Sequence, residues 1–249
     1  FIQSAEQAGF AVNRDFNGPA QRGFGFYQVT QRGGRRCSTA VGYLRPARSR
    51  PNLTVKTGAL TLGIEFSGQR ASGVRYQRRG ITQTAHATQE VLLAGGAINS
   101  PQMLMLSGIG PAAELERAGI KVRHELPGVG ANLQDHLDIC TLTRCSQPIT
   151  YDQLSELRVG LKYFLYHEGE GTSNIAEAGG FLVSGRGRDD RPDIQMHFVP
   201  ALLDDHGRNR LPGDGYTLHA CPLRPASRGH IGLRSNDPRQ PPTIFANYL

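Results

Sequence analysis

Val91-Leu92-Leu93-Ala94-Gly95-Gly96-Ala97-Ile98-Asn99-Ser100-Pro101 carries the strongest local signal in this chain. Four apolar residues in unbroken succession have the pattern of a strand covered on both faces, as in a parallel sheet. The glycine pair ends that strand and lets backbone pass close to whatever lies beside it, because no Cβ intervenes. Ser100 suits a helix cap and Pro101 the first helical position, so a helix is predicted to begin there. Met103, Leu104, Met105 and Leu106 crowd that helix, which predicts burial nearly all round. The N-terminus of the helix, with its free N–H groups, then points towards the glycine turn.

Working outward, Pro111 opens a second short helix over 112–118, closed by Gly119. Upstream, 53–57 and 60–66 alternate as half-buried strands, Ser67-Gly68 is a turn and 73–77 a further strand, together a small meander. Residues 1–10 read as a short helix, 23–27 as the start of a strand, and 40–44 as part of a helix. Beyond about 138 the texture changes. Leu154, Leu157, Leu161, Phe164 and Leu165 recur at helical spacing, and Gly169 is the predicted stop. Four strands follow, over 180–184, 193–199, 216–223 and 230–234, with polar loops over 185–192 and 204–215. Ile194, Met196 and Phe198 alternate with Gln195 and His197, the mark of a sheet covered on one face.

The chain has 249 residues, 38% hydrophobic and 20% charged, which excludes a disordered tail. It has no apolar run long enough to span a bilayer. The net charge of +7 is uneven: residues 1–80 hold 13 Lys/Arg against 3 Asp/Glu. A basic half suits nucleic acid or an anionic cofactor. No zinc-finger spacing, RNA-binding signature or basic helix supports nucleic acid, so no nucleic-acid partner is expected. Four cysteines without a C-x-x-C pair are ordinary for a reduced intracellular protein, and no metal site is expected. The sequence begins with Phe1 and stops at Leu249 inside a strand-like run, which reads as the central piece of a longer chain.

Gly96-Ala97-Ile98-Asn99-Ser100-Pro101-Gln102-Met103-Leu104-Met105-Leu106-Ser107-Gly108-Ile109-Gly110-Pro111 resembles the second signature of the glucose-methanol-choline (GMC) oxidoreductases. Small residues, Ser, Pro, paired aliphatics and Ser-Gly-x-Gly stand at the offsets that signature demands. Leu126-Pro127-Gly128-Val129-Gly130-Ala131-Asn132-Leu133-Gln134-Asp135-His136 and Ser227-Arg228-Gly229-His230-Ile231-Gly232-Leu233-Arg234 also look like family segments, in the right order. The resemblance covers essentially the whole chain and is closest to the choline dehydrogenase and alcohol dehydrogenase branch. It implies an α/β plus α+β fold, part of an FAD-binding α/β domain with a substrate domain on an antiparallel sheet. Residues 1–137 would be the rear of the FAD-binding domain, with 1–50 contributing to the substrate side. Residues 138–249 would be the substrate domain, and the family's C-terminal segment would start at about 225. Ala94 and Gly95 would lie against FAD, and Thr61, where other members often have Val, would contact the adenine through its backbone. Small residues at a strand–turn–helix also serve packing alone.

Two family features are missing. No G-x-G-x-x-G occurs, the motif that places a pyrophosphate on a helix N-terminus. The family's catalytic His, paired with His or Asn, would fall beyond residue 249, so no catalytic residue is named. His136, His197, His219 and His230 are read as solvated or packing histidines.

Asn174-Ile175-Ala176-Glu177-Ala178-Gly179-Gly180-Phe181 bears on the substrate. Choline-oxidising relatives have a glutamate at the position of Glu177. A quaternary ammonium donates no conventional hydrogen bond, so charge and aromatic faces must recognise it. A glutamate at a strand start paired with an arginine is the plainer reading. The tryptophans of choline-specific relatives are absent here; Tyr163, Phe164, Tyr166 and Phe181 are the aromatic substitutes expected. The balance favours an uncharged aliphatic or aryl primary alcohol over choline. The resemblance implies FAD-dependent oxidation of a primary alcohol to the aldehyde, with a quinone or other carrier rather than oxygen as electron acceptor. It implies a cytoplasmic enzyme with room for peripheral association with the inner membrane. The alternative is a non-catalytic binding or interaction protein derived from the family.

Overall fold

A computed structural model describes residues 1–187 and 189–248. Arg188, in the polar loop over 185–192, and Leu249, where the strand-like run stops, lie outside the described residues. The chain runs through α1 (Ile2–Gln7), β1 (Gly23–Phe26), β2 (Ala59–Ser67), β3 (Arg70–Arg78), β4 (Ile81–His86), α2 (Gly96–Leu106) and α3 (Ala112–Arg117). It continues with β5 (Ile139–Arg144), α4 (Glu156–Tyr166), β6 (Ala178–Leu182), β7 (Ile194–Val199), β8 (Gly215–Pro222), β9 (His230–Gly232) and β10 (Thr243–Phe245). Contacts divide it into two units, each made of two separate segments: Phe1–Leu53 with His136–Pro225, and Thr54–Asp135 with Ala226–Leu249. The architecture is mixed α and β, and its larger sheets are antiparallel.

The first unit is built on a five-stranded sheet in the order β1-β6-β7-β8-β5. Register pairs His197 with His219 and Phe198 with Leu218, so period-2 alternation sorts two faces. One face carries Phe24, Met196, Phe198, Tyr216 and Leu218, and Phe1 of the α1 segment stacks on Phe198 at 4.7 Å. The opposite face carries Phe181, Gln195, His197 and His219. Phe16 packs on Phe181 at 5.0 Å and Tyr27 on His197 at 5.1 Å. Gly179 makes room for the Tyr27 ring on this face and Gly180 for Phe24 on the other: a Cβ on Gly180 would meet the Phe24 ring at 2.6 Å. Strand β5 was not expected. It is an edge strand whose Ile139 stays 67% exposed, so its sequence alternation is weak.

The helix expected from the spacing of Leu157, Leu161 and Leu165 is present as α4, and it opens at Ser155, whose Oγ accepts from the Arg158 N–H at 3.4 Å. It ends earlier than Gly169. His167 takes the left-handed position at φ 55°, a conformation that histidine tolerates better than most residues.

In the second unit β2, β3 and β4 form an antiparallel meander. The strand predicted over 53–57 is absent; those residues are exposed and join no sheet, and β4 completes the meander instead. The run 91–94 is not a strand either, and Leu92 is 81% exposed. A strand covered on both faces needs neighbours on a sheet, and among the described residues none pairs with it. Helix α2 starts at Gly96, ahead of Ser100, because Gly96 at φ +78° turns the chain directly into it. Pro101 therefore sits inside the helix, where it has no N–H to give the Ala97 carbonyl. Burial is one-sided, confined to Gln102 and Met105, because only that side meets the core of Leu115, Ile231 and Leu233. The last predicted strand, around His230, belongs to this unit as β9 paired with β10, not to the five-stranded sheet. No helix among the described residues is long and apolar enough to cross a membrane.

Candidate functional site

Thr61, Ala94 and Gly95, far apart in sequence, line one cavity of about 740 Å³ in the second unit. Strand β2 supplies one wall through Leu60, Thr61 and Ile64, and α2 another through Ile98, Asn99 and Met103. The pairing of β2 with β3 skips Leu62 between Thr61 and Gly63, a bulge of the kind that re-aims side chains near sites. Ser107 ties the two walls together: its Oγ accepts from the Ile64 N–H at 2.9 Å and donates to the Met103 carbonyl at 2.7 Å. Gln102 Nε2 donates to the Gln240 carbonyl at 2.9 Å and holds the proline-rich 238–242 segment as a third wall. Neither Ser107 nor Gln102 was singled out in the sequence; both lie in the signature, where spacing alone shows no partner.

Gly95 stands at the N-cap of α2, and no side chain caps the helix, so its first N–H groups remain donors. A largely apolar slot beside free backbone donors fits a flat ring system that carries anionic groups. The residues present therefore fit part of a dinucleotide cofactor. Ala94 and Gly95 are exposed rather than buried.

Glu177 lies in the first unit, at the start of β6, and lines a cavity of about 430 Å³ with Phe1, Phe26 and Phe198. Its carbonyl accepts from the Tyr27 N–H at 2.8 Å, which fixes the backbone. Two residues earlier Ile175 sits at φ 68°, an unusual conformation for a β-branched side chain. Ser173 Oγ accepts from the Ile175 N–H at 2.8 Å, and Asn174 Nδ2 donates to the Ala176 carbonyl at 3.1 Å. The Tyr151 phenol donates to Ser173 Oγ at 3.0 Å. Burial, and then the neighbouring Glu177 and Glu170 charges, hold its pKa above the ordinary tyrosine value.

The aromatic residues expected near Glu177 are elsewhere. Phe181 packs on Phe16 and Tyr27. Tyr163 and Phe164 pack on each other along α4, and Phe164 and Tyr166 are mostly exposed. Phe26 and Phe198 take their place because sheet register, not sequence proximity, brings β1 and β7 to this end of β6.

His219 Nδ1 lies 2.6 Å from Asp138 Oδ2. His197 pairs across the strands with His219, and burial holds its pKa below the ordinary histidine value. His136 Nε2 lies 3.1 Å from the Leu223 carbonyl, and the His230 ring packs on Phe245 at 5.3 Å. Among the described residues no group of three or more His, Cys, Asp or Glu is arranged to hold a metal ion.

The family model described as GMC oxidoreductase matches residues 1–138. The chain belongs to the GMC oxidoreductases. An alcohol dehydrogenase (acceptor) of Pseudomonas putida is 46% identical over all of this chain and 46% of its own length. The mitochondrial choline dehydrogenase of Homo sapiens is 44% identical over all of this chain and 42% of its own length. This GMC chain thus falls in the alcohol and choline dehydrogenase branch, and it spans about half the length of the curated relatives it matches. A crystal structure of formate oxidase superposes with a TM-score of 0.86 at 24% identity, covering 99% of this chain and 48% of that one; this likeness shows a shared fold.

Proposed function

We propose that this GMC chain is part of an FAD-dependent dehydrogenase that oxidises a primary alcohol to its aldehyde. The observation that carries the reading is the meeting of Thr61, Ala94 and Gly95 on one cavity beside an uncapped helix N-terminus. The second unit is the cofactor side, with Thr61 at the ring system and Ala94 and Gly95 along the cofactor. The first unit, with Glu177, is the substrate side, and it takes residues 1–53 with it. When bound, FAD accepts a hydride from the carbinol carbon while the hydroxyl proton passes to a base. We assign no residue of this chain to that base. The electron acceptor is a quinone or another carrier, a reading that rests on the family resemblance.

A cationic alcohol is the second reading. It is favoured by one observation: Glu177, an exposed residue, lines a cavity together with Phe1, Phe26 and Phe198, and charge with aromatic faces is what recognises a quaternary ammonium. The test is a panel of choline, aliphatic and benzylic alcohols on the enzyme that contains this chain, read by bleaching of the flavin band. Bleaching by an alcohol is the expected result; a purified enzyme without a flavin band, or one that no alcohol bleaches, overturns the proposal. Expressed alone, the 249 residues are expected to hold no FAD and to turn over no alcohol.

A further inference from the structure

A separate cavity of about 520 Å³ in the second unit borders the Thr61 cavity and shares Ile64 and Leu106 with it. Its chemistry is different. Arg75, Lys121 and Arg123 line it, and among the described residues of its wall Glu65 is the only carboxylate, so the formal charge of the lining is +2.

The cations are held where they stand. The Gly108 carbonyl accepts from the Arg123 N–H at 2.9 Å and from the His124 N–H at 3.1 Å, which pins the 121–124 segment beside the end of α2. Gly108, at φ +83°, is what lets the segment come so near: a Cβ there would meet the Lys121 carbonyl at 2.7 Å. The Arg123 guanidinium lies 4.6 Å from the centre of the Phe66 ring, and its Nη1 donates to the Gly68 carbonyl at 3.1 Å. That contact fixes the guanidinium, uses one of its five N–H donors and neutralises no charge. Arg75 Nε stands 3.6 Å from Glu65 Oε1, and both side chains are about half exposed, a pairing that offsets little. Gly63 separates Arg75 from Ser107: a Cβ there would lie 3.7 Å from Arg75 Nη2 and 3.8 Å from Ser107 Oγ.

Packing gives no reason to gather three cations on one groove, because like charges repel. Among the described residues neither Lys121 nor Arg123 has an ion-pair partner. An anion seated between them would remove that repulsion and take charge-assisted hydrogen bonds from both. The guanidinium fork suits phosphate. The volume lies in the range of small-molecule pockets and exceeds what a bare ion fills. Ile120 and Val122 join Ile64 and Leu106 as apolar lining for an organic body.

We propose that this cavity binds a small organic phosphate, a phosphate monoester on a compact carbon skeleton, with Arg123 and Lys121 as its principal partners and Arg75 as the third cation. Binding here needs no turnover and does not depend on which alcohol the enzyme oxidises.

The test is isothermal titration calorimetry on the FAD-loaded enzyme that contains this chain, in which the cofactor cavity is already filled. The probes are glycerol 3-phosphate, inorganic phosphate, succinate and glycerol. Glycerol 3-phosphate is expected to bind with a Kd below about 1 mM at low salt, at least about fivefold tighter than inorganic phosphate or succinate, and glycerol not at all. Lys121→Gln and Arg123→Gln should each weaken it about tenfold, and Arg123→Lys, which keeps the charge and loses the fork, less than that. Lys121 is exposed, so its variant keeps the test readable if Arg123→Gln fails to fold. Raising sodium chloride to about 0.5 M should weaken binding further. No binding of glycerol 3-phosphate, equal binding of glycerol, inorganic phosphate or succinate, or unchanged affinity in the glutamine variants overturns the inference and leaves alcohol oxidation standing. Phosphate binding that both glutamine variants weaken, in an enzyme that no alcohol reduces, would support this site while overturning the function.

Discussion

Ile175 holds a left-handed backbone conformation two residues before Glu177, and the side chains of Ser173 and Asn174, just ahead of it, lock the turn. Strain of this kind persists where the surroundings over-determine it, and it concentrates at functional sites. The sequence offers Glu177 as a candidate, but not its surroundings, because Phe26, Phe198 and Tyr151 come from three distant segments. In the enzyme, Glu177→Gln is expected to lower kcat/KM for choline about tenfold or more and for 1-hexanol less than about twofold. Steady-state kinetics on both substrates check it, and equal losses would reject a charge role. His197 carries a prediction about pH. Its folded pKa is held below its unfolded value by burial, so between the two values the unfolded chain binds more protons. Stability therefore rises with pH in that window and is lost as pH falls from about 6.5. Thermal melts between pH 5 and 7.5 are expected to show this slope, and His197→Gln to flatten it.

At the scale of elements, two glycine-rich strands pair at one side of the sheet. Gly180 faces Gly23 O and the Phe24 ring, and Gly179 faces the Met196 carbonyl and the Tyr27 ring. Gly180→Ala is expected to destabilise the first unit by about 1–3 kcal/mol through overpacking, measured by denaturant unfolding. The strands over 180–184, 193–199 and 216–223 were legible because alternation survives where one face is apolar and the other polar. The run 91–94 misled for the converse reason: an unbroken apolar tetrapeptide predicts burial but cannot supply its own sheet neighbours. Pro101 misled because its preference for a first turn is a tendency that the Gly95-Gly96 turn overrides from upstream.

For the molecule as a whole, each unit joins segments that are distant in sequence. The second unit closes its core only when Ile231 and Leu233, from the last segment, meet Met105 and Leu115. Truncation after Pro225 is expected to make residues 54–135 sensitive to protease, read by limited proteolysis. Met105→Ala, at a residue with no exposed surface, should cost about 2–5 kcal/mol there. The sequence by itself determined the family, through a signature whose small residues, Pro and Ser-Gly-x-Gly must stand at set offsets along one continuous stretch. It determined most strands and helices as well, because hydrophobic periodicity is local. Only the tertiary structure decided that Thr61 meets Ala94 and Gly95, and that Phe26 and Phe198 flank Glu177. Those juxtapositions depend on strand register and on contacts between remote segments, which no local run of residues encodes.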